Sequence, residues 1–101
     1  MKYTNQELID KLTPILKKYP IKRAALFGSY ARGEQTSESD LDILLEIDDS
    51  ADIVDVFYSF WDELEKIISM KADVLTHGSL TTAPRRFRER ILNELRYIYE
   101  A

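Results

Sequence analysis

The spacing of apolar residues predicts two long helices. In the first, over residues 5–18, apolar side chains recur every three or four positions: Leu8, Ile9, Leu12, Ile15 and Leu16. Thr4 and Glu7 precede and open this helix with the spacing of a capping box, and Tyr19-Pro20 ends it. A broader apolar stripe predicts the second helix, over residues 52–68: Ile53, Phe57, Phe60, Leu64, Ile67 and Ile68.

Short apolar runs predict three strands, and a last periodic segment predicts a third long helix. The strands cover residues 21–27, 41–47 and 71–76. Residues 77–84 are expected to form a loop, and apolar spacing predicts a helix over 85–100 from Phe87, Ile91, Leu95, Ile98 and Tyr99. The segment over 52–68 is long enough to be a crossover, so strands two and three can run parallel. The fold class is therefore α/β, with a small sheet of about three or more strands and flanking helices.

Composition limits the classes of protein that the chain can belong to. Its 101 residues fit a single domain over 1–101. It has no cysteine, which excludes disulfides, thiolate metal sites and cysteine catalysis. A net charge of −4 does not favour direct nucleic-acid binding. No apolar signal core opens the chain and no run approaches the roughly 20 apolar residues of a membrane span, so we expect a cytoplasmic protein without membrane contact.

The first predicted strand stops at Gly28-Ser29, which allows two interpretations. A glycine-serine turn before a helix start presents free backbone N–H groups that bind phosphate, and glycine lets the backbone approach a ligand closely. Alternatively, the turn is only structural and Ser29 is the helix N-cap. The dipeptide alone does not decide between these interpretations.

Three aspartates follow the turn in the sequence and are candidate metal ligands. Asp40 and Asp42 are two residues apart at the start of a predicted strand, so both point to one face. Like charges this close raise each other's pKa unless a cation lies between them, and magnesium prefers carboxylate ligands. The alternative is that Asp40 caps a turn and Asp42 faces solvent.

Asp73 lies in the next predicted strand, where a charge is costly unless paired. Three carboxylates facing a phosphate-binding turn are the parts of a two-metal phosphoryl-transfer site.

Two stretches of the chain resemble a known family. GSYARGEQTSESDLDILLEI is similar to the signature of nucleotidyltransferases of the DNA polymerase β type, in which Gly-Ser is followed about ten residues later by Asp-x-Asp. The short chain and the ending APRRFRERILNELRYIYE resemble the minimal nucleotidyltransferases, or MNT proteins, many of which are antitoxins paired with HEPN toxins. The fold implied is a small nucleotidyltransferase sheet like the polymerase β palm.

The resemblance also implies roles for individual residues. Gly28 and Ser29 would hold the triphosphate, and Asp40 and Asp42 would bind two magnesium ions. Asp73 would complete one metal site and help to deprotonate or orient the attacking hydroxyl. Arg32 matches the arginine of the family's ARG motif, either as a phosphate contact or as part of a structural ion pair.

The function implied is magnesium-dependent transfer of a nucleoside monophosphate to a hydroxyl of a HEPN-type toxin. The expected donor is ATP, and the expected group transferred is AMP. Two alternatives stay open: a non-catalytic module that blocks the toxin by binding alone, and a small-molecule transferase of the antibiotic-resistance type. In the second, a homo-oligomer could form the acceptor pocket between chains.

Several other residues carry weaker signals. His77 is expected to be a solvated loop histidine, and Phe60 and Trp61 to be core residues and not a base-stacking surface. The arginines that open the last predicted helix form either a solvated face or a docking surface: Arg85, Arg86, Arg88 and Arg90. Four cations at a helix N-terminus oppose the helix dipole, which favours a role other than helix stability.

Overall fold

The computed structural model describes residues 3–101, which form a mixed sheet flanked by helices. The helices of this range are α1 (Asn5–Lys18), α2 (Gly28–Arg32), α3 (Ile53–Ile68), α4 (His77–Thr81) and α5 (Arg85–Glu94). The strands are β1 (Ile21–Phe27), β2 (Leu41–Ile47), β3 (Ala72–Thr76) and β4 (Arg96–Glu100). Within the same range, no helix combines the length and the apolar character that crossing a membrane requires.

The sheet has the strand order β3-β2-β1-β4. β2 runs parallel to β3, which the length of the crossover allows, and β1 runs antiparallel to both β2 and β4. In this register Asp42 is paired with Phe27 on one side and with Asp73 on the other. The end of β1 and the starts of β2 and β3 therefore meet at one edge of the sheet.

The two faces of the sheet are covered unequally. Helices α1 and α3 pack on one face and form the larger apolar cluster with alternate residues of β2: Leu41, Ile43 and Leu45. On the other face a small cluster connects the sheet to α4 and α5 through Phe27, Leu44, Leu80 and Ile91. Because strand side chains alternate between faces, Asp42 lies on the thinly covered face together with Leu44.

The predicted start of α1 is confirmed in its details. The Thr4 side chain accepts a hydrogen bond from the Glu7 amide at 3.1 Å, and the Glu7 carboxylate accepts one from the Thr4 amide at 3.0 Å. These two bonds are a capping box, which satisfies amides that the first helical turn leaves without partners. The long helix α3 also forms as predicted, with Asp52 at its N-cap.

The prediction of a loop over residues 77–84 was wrong for its first part. Residues 77–81 form α4, and the Thr76 side chain caps the helix by accepting a hydrogen bond from the Ser79 amide at 3.1 Å. Burial of Leu80 holds the short helix against the sheet. His77 is exposed, as predicted, but it is the first residue of this helix.

The prediction of a helix over residues 85–100 was also wrong beyond Glu94. The backbone of Leu95 is extended, and the chain then continues as β4, which pairs with β1 through Tyr99 opposite Ala24 and Tyr97 opposite Ala25. The spacing of the apolar residues is compatible with a helix, but their aromatic and β-branched side chains also favour a strand. The unpaired edge of β1 decides between the two, because its N–H and C=O groups need partners.

Phe60 should carry much more of the stability than its neighbour Tyr58 on the same helix. Phe60 is fully buried and its ring meets Tyr19 edge-to-face at 6.0 Å, whereas Tyr58 is 64% exposed. We expect Phe60→Ala to lower the free energy of unfolding by about 3–5 kcal/mol. Tyr58→Ala should lower it by less than about 1 kcal/mol. Urea denaturation of both variants measures the difference, and similar losses would contradict this description of the core.

Candidate active site

All six residues that the sequence singled out lie in the walls of one cavity. The cavity has a volume of about 560 Å³ and opens where β1 ends and β2 and β3 begin. Its walls include the predicted turn, arginine and carboxylates: Gly28, Ser29, Arg32, Asp40, Asp42 and Asp73. Trp61 and residues of α5 complete the walls. The structure thus brings the predicted site residues together around one space large enough for a small ligand.

Strand geometry places the three carboxylates. Asp40 precedes β2, Asp42 is its second residue, and Asp73 is the partner of Asp42 in the parallel strand β3. Alternation turns Asp42 and Asp73 away from the larger core, which the neighbouring residues Leu41 and Ala72 enter. Asp42 is half-buried, and Asp40 and Asp73 are exposed.

The electrostatics of Asp42 show a carboxylate without a cation beside it. Burial is the largest cause that raises the pKa of Asp42 to about 6. The negative charge of Asp73 and a side-chain hydrogen bond with it raise the pKa further, as do the charges of Asp40 and Glu94. No ion pair within residues 3–101 includes Asp40, Asp42 or Asp73. Such a group of carboxylates favours binding of a cation, which would offset their repulsion.

The three carboxylates offer oxygen ligands of the kind that magnesium prefers, but their side chains do not surround a single ion position in this structure. Within residues 3–101, no three acidic or histidine side chains stand close enough together to hold one ion. Asp40 and Asp73 are exposed and make no ion pair within residues 3–101, so no ion pair restrains rotation about their side-chain bonds. The oxygen-only set and the shared cavity fit a hard divalent cation.

The turn at Gly28 requires glycine for two reasons. Its φ of +71° lies in the left-handed region, and a Cβ added there would collide with the carboxylate of Asp42. The turn and the central carboxylate are therefore packed directly against each other. Ser29 is not the N-cap: it is the second residue of α2, and Phe27 occupies the cap position without a side-chain hydrogen bond. The interpretation of Ser29 as the N-cap is thus wrong, whereas contact of the serine with phosphate stays a prediction.

Arg32 takes part in ion pairs. Its guanidinium lies 2.6 Å from Glu34 and 2.8 Å from Glu94, and these carboxylates raise its pKa, with the hydrogen bond to Glu34 as the largest cause. Of the two roles that the sequence left open, the ion pair is the one seen here. A phosphate contact by Arg32 stays a prediction.

Sequence reasoning missed the contribution of α5. The Glu94 side chain, 14% exposed, accepts a hydrogen bond from the Gly28 amide at 3.0 Å as well as pairing with Arg32. Phe87 and Arg90 also line the cavity. The available signal was helical spacing, since residues 87, 90, 91 and 94 lie on one face of α5. Sequence reasoning used that spacing only for the apolar residues Phe87 and Ile91. It considered Arg90 as part of the arginine cluster and did not consider Glu94 at all.

The two aromatic residues of α3 differ in position. Phe60 is fully buried, as predicted. Trp61 packs against the larger core and donates its indole N–H to the Ala72 carbonyl at 2.8 Å, but it also lines the cavity. It thereby connects the start of β3, and so Asp73, to α3.

Comparison with known proteins defines the class of this chain. Residues 10–101 match the family described as "Polymerase beta, Nucleotidyltransferase". A protein of Methanocaldococcus jannaschii, provisionally named a protein adenylyltransferase, is 42% identical over 88 residues, which are 87% of this chain and 90% of that protein. The chain belongs to the polymerase β nucleotidyltransferase family and is a nucleotidyltransferase.

Solved structures confirm the fold. A toxin-antitoxin crystal structure with AMP-PNP contains a chain that aligns with a TM-score of 0.71 at 20% identity, over 92% of this chain and 73% of that one. The structure of a tri-AMPylated Shewanella oneidensis HEPN toxin in complex with an MNT antitoxin aligns with a TM-score of 0.66 at 16% identity, over 95% and 72% of the two chains. The predicted sheet of a small nucleotidyltransferase is therefore confirmed.

Two glycines with the same backbone conformation allow a matched test of the turn. Gly28 and Gly33 both have φ +71°, but a Cβ at Gly33 would meet nothing within 4 Å. Gly33→Ala should cost only the left-handed strain, about 1–2 kcal/mol. Gly28→Ala should cost about 1–3 kcal/mol more, because the Asp42 carboxylate must move. Urea denaturation measures both variants, and equal losses would show that the turn and Asp42 do not constrain each other.

Asp42 should make the stability of the protein depend on pH in buffer with a chelator. The pKa of Asp42 in the folded protein, about 6, lies above its ordinary value of 3.8. The stability that the protonated form contributes is therefore fully present below the unfolded pKa and is lost as the pH rises through about 6. Asp42→Asn should therefore melt several degrees above wild type near pH 8, with the difference shrinking toward pH 4. Asp49→Asn, at an exposed ion pair, is the control. A constant difference between Asp42→Asn and wild type across this range would contradict the raised pKa.

Proposed function

We propose that this nucleotidyltransferase moves AMP from ATP, with magnesium, to a hydroxyl of a HEPN-type toxin and so acts as its antitoxin. The observation that carries the proposal is the shared cavity, in which three carboxylates without a cationic partner in the described chain face the Gly28-Ser29 turn. The comparisons support this choice of donor and acceptor: the Methanocaldococcus relative is provisionally named a protein adenylyltransferase, and the similar Shewanella complex contains an AMPylated HEPN toxin.

Asp40, Asp42 and Asp73 would hold the metal, two ions in the proposed form. Magnesium bound there would lower the pKa of the acceptor hydroxyl and offset the charge of the phosphates. The raised pKa of Asp42 supports this assignment, since the cluster is least favourable when all its members are charged and no cation is near.

The residues of the chain divide the remaining work. The turn at Gly28 and Ser29 would bind the triphosphate through backbone N–H groups and the serine hydroxyl. The acceptor oxygen attacks the α-phosphorus, the bond from that phosphorus to the oxygen bridging to the β-phosphate breaks, and pyrophosphate leaves with the electron pair. Asp73, exposed at the mouth of the cavity, would orient the acceptor hydroxyl and take its proton. The rate then depends on positioning and on charge stabilisation, as in other phosphoryl transfers.

A catalytic antitoxin should neutralise its partner below a one-to-one ratio, because one molecule can modify many. The partner to use is a HEPN-type toxin, a small helical protein with an R-x4-H motif. We expect neutralisation to require ATP and magnesium, and mass spectrometry to show added AMP on the partner. Asp42→Asn should lose transfer by at least about 100-fold, since it removes a charge needed in the transition state.

The control is Asp49→Asn, which changes an exposed carboxylate outside this cavity and should transfer AMP like wild type. If Asp42→Asn neutralises the partner as well as wild type does, and without ATP, the chain acts by binding alone. If ATP is consumed but the partner gains no AMP, the acceptor is a different molecule.

A further inference from the structure

Two arginines line the cavity, and they differ in how their charges are used. Arg32 is held between Glu34 and Glu94 at 2.6 and 2.8 Å. Arg90, from α5, makes no ion pair and no side-chain hydrogen bond with any residue of the range 3–101; its guanidinium lies 5.5 Å from the centre of the Phe87 ring. The positive charge that is available to a ligand in this cavity is therefore that of Arg90.

The other arginines of α5 are used or placed differently. Arg85 pairs with Glu89 at 2.9 Å, and Arg88 donates to the carbonyls of Thr81 and Ala83, which fixes the connection from α4 to α5. Arg86 makes no ion pair in the described chain, but it does not line the cavity. The cluster that looks uniform in the sequence thus contains one arginine that faces the site.

The position of Arg90 relative to the turn follows from helix geometry. Glu94 touches the Gly28 amide, and Arg90 precedes it by four residues, so the two side chains lie on one face of α5 about one turn apart. A phosphate chain that is bound at Gly28-Ser29 and extends along α5 would reach Arg90. Glu94 would not neutralise the positive charge of Arg90, because the Glu94 carboxylate already bonds to Arg32 and to the Gly28 amide.

We infer that Arg90 is a substrate-binding residue that contacts the phosphates of the nucleoside triphosphate that are not transferred. The inference rests on the proposed binding of nucleotide at the Gly28-Ser29 turn. A guanidinium presents several N–H donors in a plane and binds phosphate oxygens in pairs. Contact with the Phe87 ring would keep the guanidinium from turning into solvent. When pyrophosphate leaves, Arg90 would stabilise the charge that develops on it.

The test measures ligand binding by calorimetry in the presence of magnesium, without any acceptor protein. Arg90→Gln should weaken binding of ATP and of inorganic tripolyphosphate by about tenfold or more, the effect of losing one charged hydrogen bond. Binding of AMP, which lacks the phosphates in question, should be unchanged. Arg90→Lys should lie between wild type and Arg90→Gln. Arg86→Gln is the matched control, with the same charge change on the same helix, and should bind like wild type.

The possible outcomes separate this inference from the proposed function. If wild type binds ATP and Arg90→Gln binds it equally well, the inference is wrong although the proposed function stands. The same holds if Arg86→Gln weakens ATP binding as much as Arg90→Gln does. If wild type itself binds neither ATP nor tripolyphosphate, the proposed function fails and this inference fails with it. Equal melting temperatures of the variants exclude unfolding as the cause of any loss.

Discussion

The register of β2 against its two neighbours is the constraint on which the site depends. Because Asp42 is paired with Phe27 on one side and with Asp73 on the other, the turn after β1 and the carboxylates of β2 and β3 meet at one edge. A shift of one residue would send Asp42 into the larger core and Leu41 or Ile43 into the cavity. The apolar residues that α1 and α3 bury on that face make such a shift costly. The larger core therefore fixes the position of the edge that carries the candidate site.

The site also opposes the stability of the fold that holds it. Asp42 is half-buried among other carboxylates, so its charged form is unfavourable in the absence of a cation. Gly28 has a backbone conformation that other residues rarely adopt, and it lies against the Asp42 side chain. Both features are disadvantages in a protein that only has to fold. They are compatible with a function in which metal and nucleotide supply the missing charge interactions and stabilise the folded state by binding.

Much of this arrangement could be predicted from the sequence, because it depends on local patterns. Apolar periodicity located α1, α3 and the first three strands to within one residue at their ends. The spacing of Gly28-Ser29, Asp40, Asp42 and Asp73 placed five residues that do line one cavity. The errors lie where distant contacts decide. Residues 96–100 have apolar spacing that suits a helix, and only the open edge of β1 makes them a strand. Glu94 and Arg90 could not be assigned because their importance comes from where α5 packs.

The late position of α5 and β4 in the chain has a consequence for folding. The three strands that carry the turn and the aspartates, with α1 and α3, are complete by residue 76. The helix that supplies Glu94 and Arg90 comes later in the chain, and β4 must reach back to β1. The cavity wall is thus assembled by a contact between segments about 70 residues apart in the chain, Gly28 with Glu94 and β1 with β4. A chain that has formed its larger core but has not yet docked α5 and β4 would lack a complete pocket, so any ligand of this cavity would bind only after the last segments have folded.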